Sequence, residues 1–137
     1  MFKVICIAVL CLISFNFCER RPATINDVAN KKFKITKYTT DGLTRIRIDL
    51  ADFHYLEFSR NQISMTGLCN NCWFALQIQG DRTFTVKQPS CHEKFCSGGK
   101  MDLERDVTQS LPISRFEIDG NTLYIVRNDR SYLIATL

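Results

Sequence analysis

The chain has 137 residues and carries 18 Lys and Arg against 14 Asp and Glu, a formal net charge of +4. This length suits one domain with its own hydrophobic core. Aromatic residues are frequent, but they do not interleave with Arg or Lys as nucleic-acid platforms do, which argues against a nucleic-acid-binding protein. Lys31, Lys32, Lys34 and Lys37 concentrate the positive charge, a cluster typical of a solvated strand edge.

The N-terminal segment has the layout of a secretory signal peptide. An uncharged apolar run, residues 4–13, follows Lys3 and gives way to the polar sequence Glu19-Arg20-Arg21-Pro22. The run is shorter than the roughly 20 residues that a membrane-spanning helix needs, and no later segment is longer or more apolar. We therefore predict a signal peptide over residues 1–18, a secreted or extracytoplasmic protein and no transmembrane segment.

Most of the remaining chain alternates polar and apolar residues, which is typical of half-buried β-strands. The alternation occurs at residues 45–50, 56–58, 63–65, 74–78, 84–86, 116–118 and 123–125, and we expect a closing strand over residues 132–136. Gly80-Asp81-Arg82 and Asp119-Gly120-Asn121 are turn signals. The second predicts a hairpin, because Gly and Asn tolerate the positive φ angles of such turns.

The segment from Gly99 to Leu111 has helical periodicity instead. Leu103, Val107 and Leu111 recur at four-residue spacing, and Pro112 prevents continuation. A helix of about three turns is not stable alone, so we expect it to dock on the sheet with Glu104 on its solvated face.

Together these elements predict a mainly β fold of the α+β class. We expect a curled antiparallel sheet or partial barrel of seven or eight strands, with one short helix over an open face or end. Residues 19–30 are expected to form a ragged N-terminal extension, and residues 31–137 form the domain.

Several motifs follow one another in an order that indicates a family. Leu56-Glu57-Phe58-Ser59-Arg60-Asn61 leads into Ile63-Ser64-Met65-Thr66-Gly67-Leu68-Cys69-Asn70-Asn71. A strand, a turn at Gly80, the segment Pro89-Ser90-Cys91, a helix carrying Glu104 and a closing run over residues 115–125 come next. In this order the chain resembles the META/HslJ family of small, mostly secreted or envelope domains, over roughly Leu43 to Leu137.

The chain departs from that family pattern in three ways. Leu68 is inserted between Gly67 and Cys69, the usual early Trp is missing, and two extra cysteines are present. The resemblance implies a META-like β-domain over residues 31–137, related to stress or to the cell envelope. It implies no established catalytic residues.

Four cysteines follow the signal peptide: Cys69, Cys72, Cys91 and Cys96. In an oxidising compartment two disulfides are the default, and we expect the 69/72 cluster to pair with the 91/96 cluster. Two short-spaced thiolate pairs also suit tetrahedral zinc. A redox dithiol is a third interpretation, although a strand-like run follows Cys72 instead of the helix that lowers a thiol pKa. We predict disulfides, with no metal and no cofactor.

The segment around the last two cysteines is the candidate binding loop, since loops on rigid scaffolds carry binding residues. Its members are Pro89, Ser90, His92, Glu93, Lys94 and Phe95.

Ser90 or Cys91 with His54 or His92 would supply a nucleophile and a base for a hydrolase. The chain has no Gly-x-Ser-x-Gly elbow, so we expect no enzyme, with a hydrolase or a thiol oxidoreductase as the disfavoured alternative. Both histidines are expected in exposed loop or edge positions.

The stripe Phe74, Leu76 and Ile78, together with Trp73, is expected in the core. The first functional hypothesis is a secreted, disulfide-stabilised monomer that binds an unknown protein or envelope partner without catalysis, for example as a protein inhibitor. The second is a lipocalin-like carrier, in which the same stripe would line a cavity for a small apolar ligand.

Overall fold

The computed structural model describes residues 19–40, 44–46, 54–66, 69–96, 100–128 and 130–137. The predicted signal peptide over residues 1–18 lies outside the described residues, as does most of the strand predicted at residues 45–50.

Ten strands within the described residues form one antiparallel sheet. They are β1 (Arg21–Pro22), β2 (Lys31–Thr40), β3 (Thr44–Ile46), β4 (Tyr55–Phe58), β5 (Gln62–Thr66), β6 (Cys72–Ile78), β7 (Phe84–Cys91), β8 (Arg115–Asp119), β9 (Thr122–Arg127) and β10 (Arg130–Thr136). Along the sheet the order is β1-β8-β9-β10-β2-β4-β5-β6-β7, and β3 pairs with β2 beside this path. The sheet curls into a half-barrel, which confirms the predicted fold class.

Helical segments accompany the sheet at two places in the described part of the chain. They are α1 (Ile25–Val28) and α2 (Lys100–Ser110), the latter continued by a 3-10 helix (Leu111–Ile113). The predicted helix is confirmed as α2, and it docks on β7 with Val107 and Leu111 buried. Pro112 lies inside the 3-10 helix, whose first turn needs no N–H from proline. No helix among these is long and apolar enough to cross a membrane.

The segment before β2 is part of the sheet, so the expected ragged extension over residues 19–30 is wrong. β1 pairs with β8, and Thr24 forms a bridge with Thr83, immediately before β7. The N–H of Ile25 donates to the carbonyl of Arg82 at 2.9 Å. These contacts join the two ends of the sheet order, and Val28 in the same segment is completely buried.

A local polar motif sets the start of α1. One carboxylate oxygen of Asp27 accepts hydrogen bonds from the backbone N–H and the hydroxyl of Thr24, both at 2.8 Å. The other oxygen lies 2.6 Å from Nη2 of Arg21. These donors, Arg21 foremost, hold the pKa of Asp27 well below its usual range. The sequence signal was the Thr-x-x-Asp spacing of a capping box at Thr24.

The basic strand β2 lies in the interior of the sheet, between β10 and β4, so the expected strand edge is wrong. Phe33 and Ile35 point into the core, and Lys32 and Lys37 are exposed on the other side. An interior strand with one solvated face has the same charge pattern as an edge strand, and that is why the pattern misled.

Aromatic side chains fill the concave side of the sheet. Phe58 lies edge-on to Phe33, Phe84 and Phe116, with ring centroids 5.7, 6.0 and 6.5 Å away. Phe84 and Phe116 approach to 5.1 Å. Edge-to-face rings at these distances add packing energy beyond their buried area.

The expected core stripe on β6 holds only for its first part. Phe74 is fully buried and Leu76 packs against the core, but Ile78 is 46% exposed. Trp73 is half-buried on the opposite face, because neighbouring residues of a strand point to opposite sides.

Candidate binding site

Two disulfides join the four cysteines, which confirms the predicted pairing between the two clusters. Cys69 bonds to Cys96 and Cys72 bonds to Cys91. Cys72 and Cys91 are also direct cross-strand partners in the β6–β7 register, so the second bond ties two strands that already pair. With the sulfurs bonded to one another, the zinc and free-dithiol interpretations fail.

Asn70 connects the first cysteine cluster to the chain between the last two. Its side-chain Oδ1 accepts a hydrogen bond from the N–H of Lys94 at 2.7 Å, and its Nδ2 donates to the carbonyl of Lys94 at 3.3 Å. One side-chain amide thus pairs with both backbone polar groups of one residue, Lys94, as a neighbouring β-strand would. Residues 92–96, which we call the braced loop, are therefore fixed by Asn70 as well as by the two disulfides.

Glu104 of α2 also contacts Asn70. Its carboxylate accepts the backbone N–H of Asn70 at 2.5 Å and the side-chain Nδ2 of Asn70 at 2.8 Å. Asn70 is 6% and Glu104 7% exposed, so both are buried. The expected solvated position for Glu104 is therefore wrong. Burial of its carboxylate is tolerated because the oxygens accept strong hydrogen bonds from Asn70.

Sequence reasoning gave no role to Asn70 or to Glu104. The signal was present in the quoted family motifs, since Asn70 follows Cys69 in the first motif and Glu104 marks the helix. Their contact joins residues 34 positions apart, which no local pattern reveals.

The predicted binding residues fall on two elements. Pro89 and Ser90 lie in β7, so they belong to a strand and not to a loop. The remaining residues, His92, Glu93, Lys94 and Phe95, are exposed in the braced loop.

Phe95 is the most exposed large apolar side chain among the described residues, at 89%. The loop starts from a fixed base: the N–H of His92 donates to the carbonyl of Asn71 at 3.1 Å, and its ring lies edge-on to Trp73 at 4.8 Å. Glu93 and Lys94 beside Phe95 offer one charge of each sign. The arrangement therefore presents an uncovered phenyl ring on a rigid support.

The sheet keeps the two histidines, which were the candidate bases, apart from each other. His54 is 3% exposed and precedes β4, contrary to the exposed position expected for it, whereas His92 follows β7 and is exposed as expected. The register places them at the same end of the sheet but three strands apart. At about 4.8 Å per strand, their backbones are about 14 Å apart as measured along the sheet. The searched residues also hold no group of three His, Cys, Asp or Glu side chains suited to a metal ion.

Fold and site together define a small, disulfide-braced half-barrel domain with one rigid exposed loop. The model of the META domain family matches residues 26–136, so the chain belongs to this family. Its match begins inside α1, in agreement with the place of α1 in the core.

The fold also recurs in a solved structure of low sequence similarity. An NMR structure of a protein from Burkholderia xenovorans aligns with a TM-score of 0.67 at 12% identity, over 85% of this chain and 88% of that one. At this identity the likeness concerns the fold alone. No curated protein matches the sequence.

Proposed function

We propose that this META-domain protein is a secreted, non-enzymatic binding protein that recognises a protein partner through the braced loop. The observation that carries the proposal is Phe95, an apolar ring exposed on a loop whose backbone is held by Asn70 and two disulfides.

Such a loop loses little conformational entropy on binding, because its backbone is already ordered. Burial of an exposed Phe contributes about 1.5–3 kcal/mol, and aromatic anchors of this kind dominate many protein interfaces. Glu93 and Lys94 beside the ring would meet the polar rim of a partner surface. A protease inhibitor, which presents a rigid loop to a cleft, is one form of this function.

Secretion is part of the proposal. It is supported by the signal-peptide layout of residues 1–18 and by the two disulfides, which are compatible with an extracytoplasmic location.

The experiment is affinity capture from the extracellular and cell-surface fractions of the source organism with wild type, Phe95→Ala and Ile113→Ala. Ile113 is a matched control, since it is also apolar and 66% exposed but lies on the 3-10 helix. We expect a protein that wild type and Ile113→Ala retain and that Phe95→Ala releases, with Kd at least about tenfold weaker in direct titration. Equal retention by all three variants contradicts the proposal.

The packing of the concave side disfavours the carrier alternative. The four Phe rings that approach one another there occupy space that an apolar ligand would need. Native mass spectrometry of the secreted protein tests it directly: a bound small apolar molecule would favour the carrier over the binding protein.

A further inference from the structure

The braced loop runs beside residues 70–71 as an extended strand would. Its backbone passes from residue 92 to residue 96 without a turn, a bend or a helix. The N–H of His92 donates to the carbonyl of Asn71, and both backbone polar groups of Lys94 pair with the Asn70 amide. Alternate residues of the loop thus direct their backbone groups towards the same supporting segment.

The residues between these positions direct their backbone groups the other way. In an extended chain the N–H and C=O groups of successive residues point to opposite sides. Those of Glu93 and Phe95 therefore point away from residues 70–71, and they have no hydrogen-bond partner within the described part of the chain. The loop is thus a short strand with one supported edge and one open edge, and it carries the exposed ring of Phe95.

We propose that the braced loop inhibits a chymotrypsin-like serine endopeptidase. Phe95 would enter the apolar pocket with which such a protease selects the residue before the cleaved bond. A protein that receives an extended segment pairs with its main chain and reads its side chains in pockets. The open edge at Glu93 and Phe95 offers the main-chain groups, and the Phe95 ring offers the side chain. This inference rests on the proposed function and names the class of its partner.

Phe95, and not its basic neighbour Lys94, fits this pocket. The catalytic serine attacks the carbonyl of the residue in the pocket, and that carbonyl must reach the donors of the oxyanion hole. The Lys94 carbonyl accepts the Nδ2 of Asn70 at 3.3 Å on the supported edge, whereas the Phe95 carbonyl lies on the open edge. A trypsin-like protease, which requires a basic residue in the pocket, therefore does not fit the loop.

Attack on the Phe95 carbonyl does not release the loop. The serine oxygen bonds to the carbonyl carbon and the bond to the nitrogen of Cys96 breaks, while the protease histidine carries the serine proton to that nitrogen. The acyl side stays attached because Asn70 holds Lys94. Cys96 stays attached through its bond to Cys69. The amino group remains beside the acyl group at a high effective concentration and re-forms the peptide bond before water replaces it.

The test is the inhibition of chymotrypsin, trypsin and elastase by the full secreted chain with both disulfides intact. We expect inhibition of chymotrypsin alone. Phe95→Ala should raise the inhibition constant at least about thirtyfold, because a central aromatic anchor is lost. Lys94→Ala and Ile113→Ala are the controls: each removes an exposed side chain outside the pocket and should change the constant by less than about fivefold.

A change of specificity gives a second readout. Phe95→Lys should lose the inhibition of chymotrypsin and gain inhibition of trypsin, whose pocket carries an aspartate. Because the Phe95 side chain is exposed, both substitutions should leave the fold intact, and thermal midpoints equal to that of wild type check this.

Several outcomes overturn the inference. They are the absence of chymotrypsin inhibition by wild type, equal inhibition by Phe95→Ala, and rapid cleavage after Phe95 with loss of inhibition. Inhibition of trypsin by wild type also overturns it, because Lys94 would then occupy the pocket. Capture of a partner that depends on Phe95, without inhibition of chymotrypsin, overturns this inference and leaves the proposed function standing. Absence of both overturns both.

Discussion

At the scale of the residue, Asn70 is the side chain on which the braced loop depends most directly. Its single amide pairs with the N–H and the carbonyl of Lys94 and with the carboxylate of Glu104. An aspartate of the same shape would place a second carboxyl group beside Glu104, where it could not donate, so the position requires an amide.

Asn70→Ala should lower the free energy of unfolding by about 2–3 kcal/mol, because it leaves buried polar groups of Glu104 and Lys94 without their partner. The exposed neighbour Asn71 provides the matched control, Asn71→Ala, with a change within about 0.5 kcal/mol. Urea denaturation measures both. Hydrogen exchange adds a local readout, since the Lys94 amide should lose protection in Asn70→Ala alone. Retained protection would contradict the role given to Asn70.

At the scale of the element, one disulfide lies within the β6–β7 hairpin and the other joins the segments beside its open end. Cys72–Cys91 crosses between paired strands, whereas Cys69–Cys96 ties the end of the braced loop to the chain before β6. Loss of the first leaves the strand hydrogen bonds in place. Loss of the second leaves the far end of the loop held by the Asn70 contacts to Lys94 and by the N–H of Cys96, which donates to Sδ of Met101 at 3.4 Å.

We therefore expect the loss of either disulfide to lower the stability, but only the loss of Cys69–Cys96 to abolish binding. The bonds close 19 and 27 residues. Removal of either should cost about 3 kcal/mol in the chain-entropy model. Cys69→Ser with Cys96→Ser should also abolish partner binding, while Cys72→Ala with Cys91→Ala should retain it. Thermal unfolding and the partner titration measure the two effects, and equal binding by both double variants would refute the division of tasks.

At the scale of the whole molecule, residues 19–30 close the sheet rather than precede it. A chain that begins at residue 31 should fail to fold cooperatively, since it loses β1 and the buried side chains of Ile25 and Val28, each worth about 1.5–3 kcal/mol. A chain that begins at residue 21 is the control and should unfold near the midpoint of the chain that begins at residue 19. Near-ultraviolet circular dichroism distinguishes these outcomes, and a native spectrum from the shorter chain would disprove closure by this segment.

Local features of the fold were predictable from sequence because short-range physics decides them. The hairpin at Asp119-Gly120-Asn121 follows from alternation and from the positive φ of Gly120. Burial of His54 was also readable, since it shares a period of two with Leu56 and Phe58, both buried. The polar character of histidine favoured an exposed position for His54, although the alternating pattern indicates burial.

Features that depend on distant partners were not predictable. The lysines of β2 fit an edge or an interior strand equally well, and only the sheet order decides between them. Glu104 fits a solvated helix face until its contact with Asn70 is known. At the candidate site, the spacing of the cysteines allowed the disulfide pairing between the two clusters to be predicted. The contact of the Asn70 amide with Lys94 could be found only in the folded chain.

The place of β10 beside β2 has a consequence for biosynthesis. The hydroxyl of Thr36 donates to the carbonyl of Ile134, across 98 positions of sequence. While the ribosome is still adding residues 130–136, β2 has no neighbour on that side, and the β8–β9 hairpin cannot join the rest of the sheet through β10. Completion of the sheet must therefore follow synthesis of residues 130–136, and contacts this remote slow it further. The hairpin that bears Cys72 and Cys91 is local, so its strands can pair before β2 is enclosed and hold the two sulfurs in place for their disulfide.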